Sequence, residues 1–368
     1  MKKRGLIILL VVFVFVVCLS QPLCGLLEGV IETNHENRTL ASKPDFTIEN
    51  MDTFIEDYNR FANDHMLLRN NLVTLNNYLD YYIFQQAANT NVILGKNNWL
   101  FYANTNDGDP IGSYKGVNLY TEEELAAIAD NCVKQKEYMD SLGKEFVIFI
   151  APNKERVYSE YLPDMYGDPS EQYRALQIVN YLRANTSVNV VYPYEELAQA
   201  KALLDINLYF KTDTHWNSVG AYVGTRVLLH ELGIDLPAIE QVDIAQTGPI
   251  SGDLQGMIGL AGFDFGDNYY SVGGYDTNGF EYLEYEFAGN IKCKSDADPR
   301  RIYVVRDSFG SAMVEIIGSQ FSESCFRHFE SRPYSDLISF DPDIVVYETV
   351  ERYSFMLGSF SLFGGTYD

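Results

Sequence analysis

The chain has 368 residues and a formal net charge of -24, with 27 Lys and Arg against 51 Asp and Glu. That imbalance excludes a nucleic-acid surface, which needs clustered cations to neutralise phosphates, and suits a neutral or sugar-like ligand better. Aromatic residues make up 14%, led by 27 Tyr; a tyrosine can stack on a sugar ring and hydrogen-bond through its hydroxyl, although a tyrosine-rich core accounts for the count equally well.

At the start of the chain, Lys2, Lys3 and Arg4 precede an unbroken apolar run from Leu6 to Leu19, followed by Ser20, Gln21 and Pro22. This is the pattern of a secretory signal. The run is shorter than the roughly 20 residues of a spanning helix, but Leu23, Leu26 and Leu27 extend it. Residues 1–27 therefore read either as a cleaved signal peptide or as a membrane anchor, and both place the rest of the chain outside the cytoplasm, in the cell envelope or secreted. Cys18 and Cys24 sit in or beside this segment without a good lipoprotein cleavage box, which leaves lipidation a minor alternative. Cys132, Cys293 and Cys325 are widely spaced, which gives neither a zinc pattern nor a disulfide framework and allows at most one bridge.

Residues 28–90 read as a membrane-proximal helical segment, with Phe54, Tyr58, Phe61, Met66, Leu67, Leu72 and Leu75 at helical spacing. The main domain, 91–368, opens with a hairpin: Val92 to Leu94, a turn at Gly95 to Asn98, then Trp99 to Tyr102. Thr121 to Glu124 has the form of a capping box and starts a helix that runs to Gly143. Phe146 to Ile150 is continuously apolar and ends at Ala151-Pro152, as expected of a strand covered on both faces in a parallel sheet. A helix over Ser170 to Ala184, a strand over Val188 to Tyr192, a helix over Ser218 to Leu232 that stops at Gly233, and strands Ile302 to Val305 and Ile344 to Tyr347 continue the alternation. The order predicts an α/β fold with a mostly parallel sheet and helices on its faces. Residues 236–298, rich in Gly, Asp and aromatics, break the rhythm and read as a loop or β-rich insertion.

Two segments carry chemistry. Asp213-Thr214-His215-Trp216 precedes a helix start at Asn217 or Ser218; an Asp two residues before a His in a loop can fold back to accept the Nδ1 proton and fix the tautomer. Arg306-Asp307-Ser308-Phe309-Gly310-Ser311 follows an apolar strand, and a Ser at such a strand-to-helix turn stands exposed at the carboxyl end of the sheet, with backbone N–H groups able to bind an oxyanion. Each alone has a plainer account, as loop polar residues or as a helix N-cap. Together they supply a nucleophile, a base and an orienting acid. Lys154 and Arg156 lie just past a strand end, where open α/β sheets bind ligands, though solvated loop charges explain them as simply. His230 falls near a helix C-terminus, and His35 and His328 have no partner pattern. No metal-ligand spacing and no Gly-rich phosphate loop occurs, so neither metal nor cofactor is expected.

These motifs resemble the SGNH-hydrolase-like proteins of the alginate O-acetyltransferase group (AlgJ/AlgX-like, including the bacterial DHHW proteins). The likeness rests on Asn63 to Arg69, Gly95 to Tyr102, Ile150 to Tyr158 with Leu162-Pro163-Asp164, Tyr209 to Gly220, the Asp307 to Gly310 turn and Glu348 to Arg352, covering roughly Asp57 to Arg352. It implies a three-layer SGNH-like sandwich in which the Asp-X-His pair precedes the serine. It also implies that Ser308 is the nucleophile, His215 the general base and acid, and Asp213 the orienting carboxylate, and it implies a structural role for His65. Arg306, Gly310, Trp216, Lys154 and Arg156 are the further candidates for oxyanion or substrate contacts. The group's turn is usually Gly-Asp-Ser; Arg306 stands at the glycine position, where its side chain either crowds the backbone approach or points a guanidinium at the site. The implied activity is O-acyl, chiefly O-acetyl, transfer to a cell-surface or secreted polysaccharide, beside a membrane-bound O-acyltransferase. An esterase would use the same residues with water as acceptor. A catalytically silent glycan-binding surface protein is the rival from another class.

Overall fold

The computed structural model describes residues 41–64, 69–286, 289–331 and 334–363, which fall into two units divided between Ala88 and Asn89. The smaller unit contains helices α1 (Phe54–Asp64) and α2 (Arg69–Leu79) and a π-helical turn at Asp80–Phe84. Along α1 the rings of Phe54, Tyr58 and Phe61 succeed one another with centroids 5.9 and 6.1 Å apart, as i, i+4, i+7 spacing requires. Of the segment expected over 28–90, the described helical parts are Phe54–Asp64, Arg69–Leu79 and Asp80–Phe84, while Met66 and Leu67 lie outside the described residues. The signal or anchor at 1–27, with Cys18 and Cys24, and His35 and His65 lie outside the described residues. No helix among the described residues is long and apolar enough to cross a membrane.

The larger unit opens with the hairpin β1 (Val92–Leu94) and β2 (Leu100–Tyr102), Leu94 opposite Leu100. Asn97 and Asn98 turn the chain at φ of 55° and 64°, a left-handed conformation that Asn tolerates better than most residues. The remaining strands are β3 (Glu145–Ala151), β4 (Asn189–Val191), β5 (Asp243–Pro249), β6 (Asn268–Gly273), β7 (Glu281–Tyr285), β8 (Asn290–Lys294), β9 (Asp298–Arg306), β10 (Phe321–His328) and β11 (Ile344–Val350). Between them run helices α3 (Pro110–Lys115), α4 (Glu122–Ser141), α5 (Lys154–Val157), α6 (Arg174–Asn185), α7 (Tyr194–Leu203), α8 (Ser218–Glu231), α9 (Asp253–Met257), α10 (Val314–Gly318) and α11 (Tyr334–Phe340). Helix α4 starts on the expected box: the Thr121 hydroxyl accepts from the Glu124 N–H at 3.2 Å and the Glu124 carboxylate from the Thr121 N–H at 2.8 Å.

Seven strands form the central sheet in the order β4-β3-β11-β9-β10-β8-β7. From β4 to β10 all neighbours are parallel, while β8 and β7 add on antiparallel. The sheet is therefore mixed. Its parallel body agrees with the sequence, but residues 236–298 are not wholly an insertion, because β7 and β8 belong to the central sheet; only the β5–β6 hairpin stands apart as a two-stranded sheet. Strand β3 shows why the apolar run was continuous. Val147, Phe149 and Ala151 face one core with residues of α7, α8 and α10, while Phe146, Ile148 and Ile150 face another with residues of α4, α6 and α11. Full burial of each such aliphatic or Phe side chain contributes about 1.5–3 kcal/mol, which fixes the layers. Cys132, Cys293 and Cys325 are free buried thiols, and burial pushes each up to about 12.

Because β3, β9 and β11 run parallel, the segments after them emerge side by side at the carboxyl edge of the sheet: Pro152–Lys154, Asp307–Ser308 and Glu351–Tyr353. That edge is where open α/β sheets expose reactive loops.

Candidate active site

The first part of the site is the loop between α7 and α8. It folds back on itself through a bridge between Tyr209 and Trp216 and the Asn217 N–H on the Leu208 carbonyl at 2.9 Å. It is tied to the end of β3 by the Tyr209 hydroxyl on the Pro152 carbonyl at 2.7 Å. Asn217 then caps α8, its side chain accepting from the Val219 and Gly220 N–H groups. At the tip, Asp213 Oδ1 lies 2.6 Å from His215 Nδ1 and also accepts the His215 backbone N–H at 3.0 Å. A carboxylate can only accept, so Nδ1 carries the proton and the Nε2 lone pair faces outward.

The second part is the turn after β9. Ser308 is exposed, with φ -68° and ψ -25°, and its side chain makes no helix-capping bond. The plain N-cap account fails there, because Asp307 takes that role, accepting the Phe309 N–H at 2.8 Å. The Ser308 hydroxyl is free to turn to the histidine, and Oγ sits 2.8 Å from His215 Nε2. Trp216, predicted as a substrate contact, is in the core; its indole N–H donates to the Phe309 carbonyl at 3.0 Å and so ties the histidine loop to the serine turn. A side chain at Gly224 would press to 2.9 Å of the indole.

Electrostatically the Asp213 carboxyl is held down at about 2. Burial pushes it up, but the His215 hydrogen bond and charge, with the Asp253 and His215 backbone N–H groups, outweigh that. It is the ionised partner that an imidazolium requires.

The other expected site residues fall into place differently. Arg306 neither crowds the turn nor points at the serine: it is buried, and its guanidinium donates to the Asp307 carbonyl at 3.1 Å and the Ser311 hydroxyl at 2.9 Å. Gly310 is buried against it, and a Cβ there would come within 2.7 Å of both Arg306 Cβ and Glu348 Oε2. Lys154 is buried too, its ammonium donating to the carbonyls of Phe210, Lys211 and Asp213 at 3.2, 3.3 and 2.6 Å; burial lowers its pKa to about 8. It shapes the histidine loop from below. Arg156 stacks 3.4 Å from the Tyr173 ring centroid and donates to the Ser170 carbonyl at 3.0 Å. His230 is exposed and pairs with Asp235 at 2.7 Å.

Three carboxylates at the site were not singled out from the sequence. Asp253 gives its N–H to Asp213 Oδ2 at 2.9 Å and accepts the Thr214 N–H and hydroxyl at 2.8 and 2.6 Å. Asp267 accepts the Thr212 N–H and hydroxyl, both at 2.9 Å. Both come from the stretch read as an insertion, and neither has a spacing signal. Asp213, His215 and Asp253 bring ligand atoms within 4.8 Å of one another, a set that could hold a cation. The hydrogen bonds among them, and from Thr214 to Asp253, account for the cluster without one.

Glu348, the third, lies beneath the serine turn and accepts the Asp307 N–H at 2.9 Å. Burial first, then the Asp307 carboxylate beside it, pushes its pKa well above the ordinary value. A raised folded pKa means stability that is complete below the ordinary value of 4.5 and is lost as pH climbs toward the folded value. Glu348→Gln, which keeps an acceptor for Asp307 and cannot ionise, is expected to gain stability relative to the wild type as pH rises from 5 to 8. Urea titrations at both ends check this, and an unchanged difference would contradict a neutral Glu348.

Comparison with known proteins adds to this geometry. Residues 92–266 match the family described as "ALGX: SGNH hydrolase-like domain, acetyltransferase AlgX", a stretch that contains Asp213 and His215 and ends before Ser308. A protein of Pseudomonas putida named "Probable alginate O-acetylase AlgJ" is 26% identical over 193 residues, covering 50% of this chain and 45% of the relative. Its namesake in Pseudomonas syringae pv. tomato is 25% identical over 198 residues, covering 50% of this chain and 44% of the relative. The match thus spans less than half the length of these relatives. The solved structure of Bacillus cereus PatB1 superposes with a TM-score of 0.50 at 17% identity, over 73% of this chain and 99% of that one, a likeness of fold.

Proposed function

We propose, from a chain whose residues 92–266 match the SGNH hydrolase-like domain of the acetyltransferase AlgX family, that it is a serine-dependent O-acyltransferase, chiefly O-acetyl, acting on a polysaccharide outside the cytoplasm. The observation that carries this reading is the 2.8 Å approach of Ser308 Oγ to His215 Nε2, with Asp213 at 2.6 Å on the other ring nitrogen. In this reading His215 takes the Ser308 proton as Oγ bonds to the acyl carbon of an ester donor, and returns it to the departing alcohol. A sugar hydroxyl then attacks the acyl-serine, its proton passing to His215, and Ser308 is released. Asp213 holds the imidazole and balances its charge throughout.

O-acetyl transfer is the activity in the names of the curated relatives, and a polysaccharide acceptor follows from the same names. Export and tethering rest on the basic start and apolar run before Pro22. A membrane-bound O-acyltransferase as donor partner follows from the group resemblance. The open position of Ser308 also admits water, so the same machinery serves as an acetyl esterase when no glycan is present.

A fluorophosphonate probe tests the reading. Ser308 should be modified in the wild type, with labelling lost in Ser308→Ala and sharply reduced in His215→Ala. Labelling that survives both changes would remove Ser308 and His215 from the chemistry. Incubation with an acetyl ester, with and without glycan acceptors, then separates transfer from hydrolysis.

A further inference from the structure

With the Arg306 guanidinium spent on Ser311 and the Asp307 carbonyl, a second arginine stands at the serine turn. Strand β11 runs parallel to β9 with Tyr347 opposite Val305, and the Val350 N–H donates to Asp307 Oδ2 at 2.6 Å. The chain just past β11 is thereby pinned to the turn that carries Ser308, and Arg352 is the second residue beyond that pin. Its guanidinium carbon lies 5.4 Å from the Phe309 ring centroid, and that same ring lies 4.8 Å from the His215 ring. The other groups it stacks near are aromatic as well: Tyr353 at 4.9 Å and Tyr102 at 5.8 Å.

Arg300, Arg301 and Arg327 each hold a carboxylate in a direct ion pair. Arg352 holds none among the described residues, and its buried Nε has no hydrogen-bond partner. Burial opposes its charge, yet Tyr353, which also shares a side-chain hydrogen bond with it, the Asp307 carboxylate and Glu155 outweigh that and keep it a cation. A desolvated guanidinium whose Nε is left unpaired is costly unless something completes it. An anionic substrate is a poor candidate, since the chain carries -24 overall and Asp213, Asp253 and Asp307 crowd the same edge. A charge that exists only during reaction is a better one.

Resting on the acyl-transfer reading above, we infer that Arg352 donates to the carbonyl oxygen of the acyl group that Ser308 attacks. As Ser308 Oγ bonds to the acyl carbon, its proton goes to His215 Nε2 and the carbonyl π pair moves onto oxygen, where the guanidinium meets it. The pair returns to carbon as the bond to the donor's oxygen or sulfur breaks, and the leaving group takes the proton from His215. When a sugar hydroxyl or water attacks the acyl-serine, the same oxygen acquires charge again and meets the same donor.

The test is turnover of p-nitrophenyl acetate by the full chain and its variants, with melting temperatures alongside. Arg352→Ala should lower kcat by about 10²–10³-fold, as loss of an oxyanion donor does, with KM changed by less than about threefold. Arg352→Lys should fall between the two. Added guanidinium ion, well below denaturing concentration, should restore about tenfold or more to the alanine variant and nothing to the wild type, which a merely structural role would not produce. If the alanine variant does not fold, Arg352→Met keeps the stem over Phe309 and takes its place. A raised KM with kcat preserved, or no response to guanidinium, overturns the assignment. Wild-type turnover in Ser308→Ala would instead overturn the acyl-serine reading itself, so the two failures are distinguishable.

Discussion

Asparagine in place of Asp213 is expected to lower kcat for acyl transfer by about 10⁴-fold while the fold stands. An asparagine amide can present its own N–H to Nδ1, now 2.6 Å from an accepting oxygen, and this would push the imidazole proton to Nε2. A protonated Nε2 would then face Ser308 Oγ across the present 2.8 Å and could not accept its proton. The imidazolium would also lose its counter-charge. Steady-state kinetics on an acetyl ester measure the loss, and a variant within tenfold of the wild type would sink the role given to Asp213. The same substitution has a stability signature. With its pKa held at about 2 against an ordinary 3.8, Asp213 contributes stability that is complete above the ordinary value and lost as pH falls toward 2. The stability gap between wild type and variant should therefore close in acid and not in base.

The largest effect on stability is expected at Trp216. Removing the ring as Trp216→Ala should cost about 3–5 kcal/mol, because the side chain is 1% exposed and packs against Phe149, Tyr209 and Phe309. Trp216→Phe separates packing from tethering. It keeps most of the buried area but leaves the Phe309 carbonyl without the donor now at 3.0 Å, a loss of about 1–3 kcal/mol. Both variants should lose turnover beyond what their stability explains, since the indole N–H joins the histidine loop to the serine turn. Denaturant titrations and kcat measured on the folded fraction check this; a phenylalanine variant with wild-type kcat would mean that the tether is dispensable.

What could be read from the residues divides along physical lines. Strands with a strong signature were legible: β3 because both its faces are buried, β9 and β11 because their apolar runs lie at the middle of the sheet, and α4 because its start signal is made by residues three apart in sequence. Strand β10 was missed because Ser322, Glu323 and Ser324 interrupt its apolar pattern. Strands β7 and β8 were taken for part of an insertion because β7 is exposed along its length and carries no core pattern. Asp213 and His215 were legible because they are two residues apart, and Ser308 because a strand precedes it. Asp253 and Asp267 were not, since they meet the loop across about 40 to 55 positions of chain and an acidic residue in a Gly-rich stretch carries no mark of its partner. Arg306 and Arg352 show the same limit from the other side. The resemblance drew attention to Arg306 at the group's glycine position and gave Arg352 only as the end of a matching stretch, but a strand's alternation turns the Arg306 side chain under the sheet edge, while parallel pairing brings Arg352 to the turn from another strand.

The bracing around Thr212 also bears on how such a site is inherited. Thr212 to Thr214 are held by Asp253 and Asp267, and the Gly252 backbone comes so close that a Cβ there would lie 2.4 Å from the Thr212 carbonyl. The histidine loop and the stretch from Gly252 to Asp267 are thus two halves of one casting, though nearly 40 residues and a helix separate them. A chimera that borrowed the Asp-X-His loop from a relative without the matching downstream segment would inherit the reactive groups and not their spacing. Recombination within this fold should therefore succeed only at crossover points that move the two together.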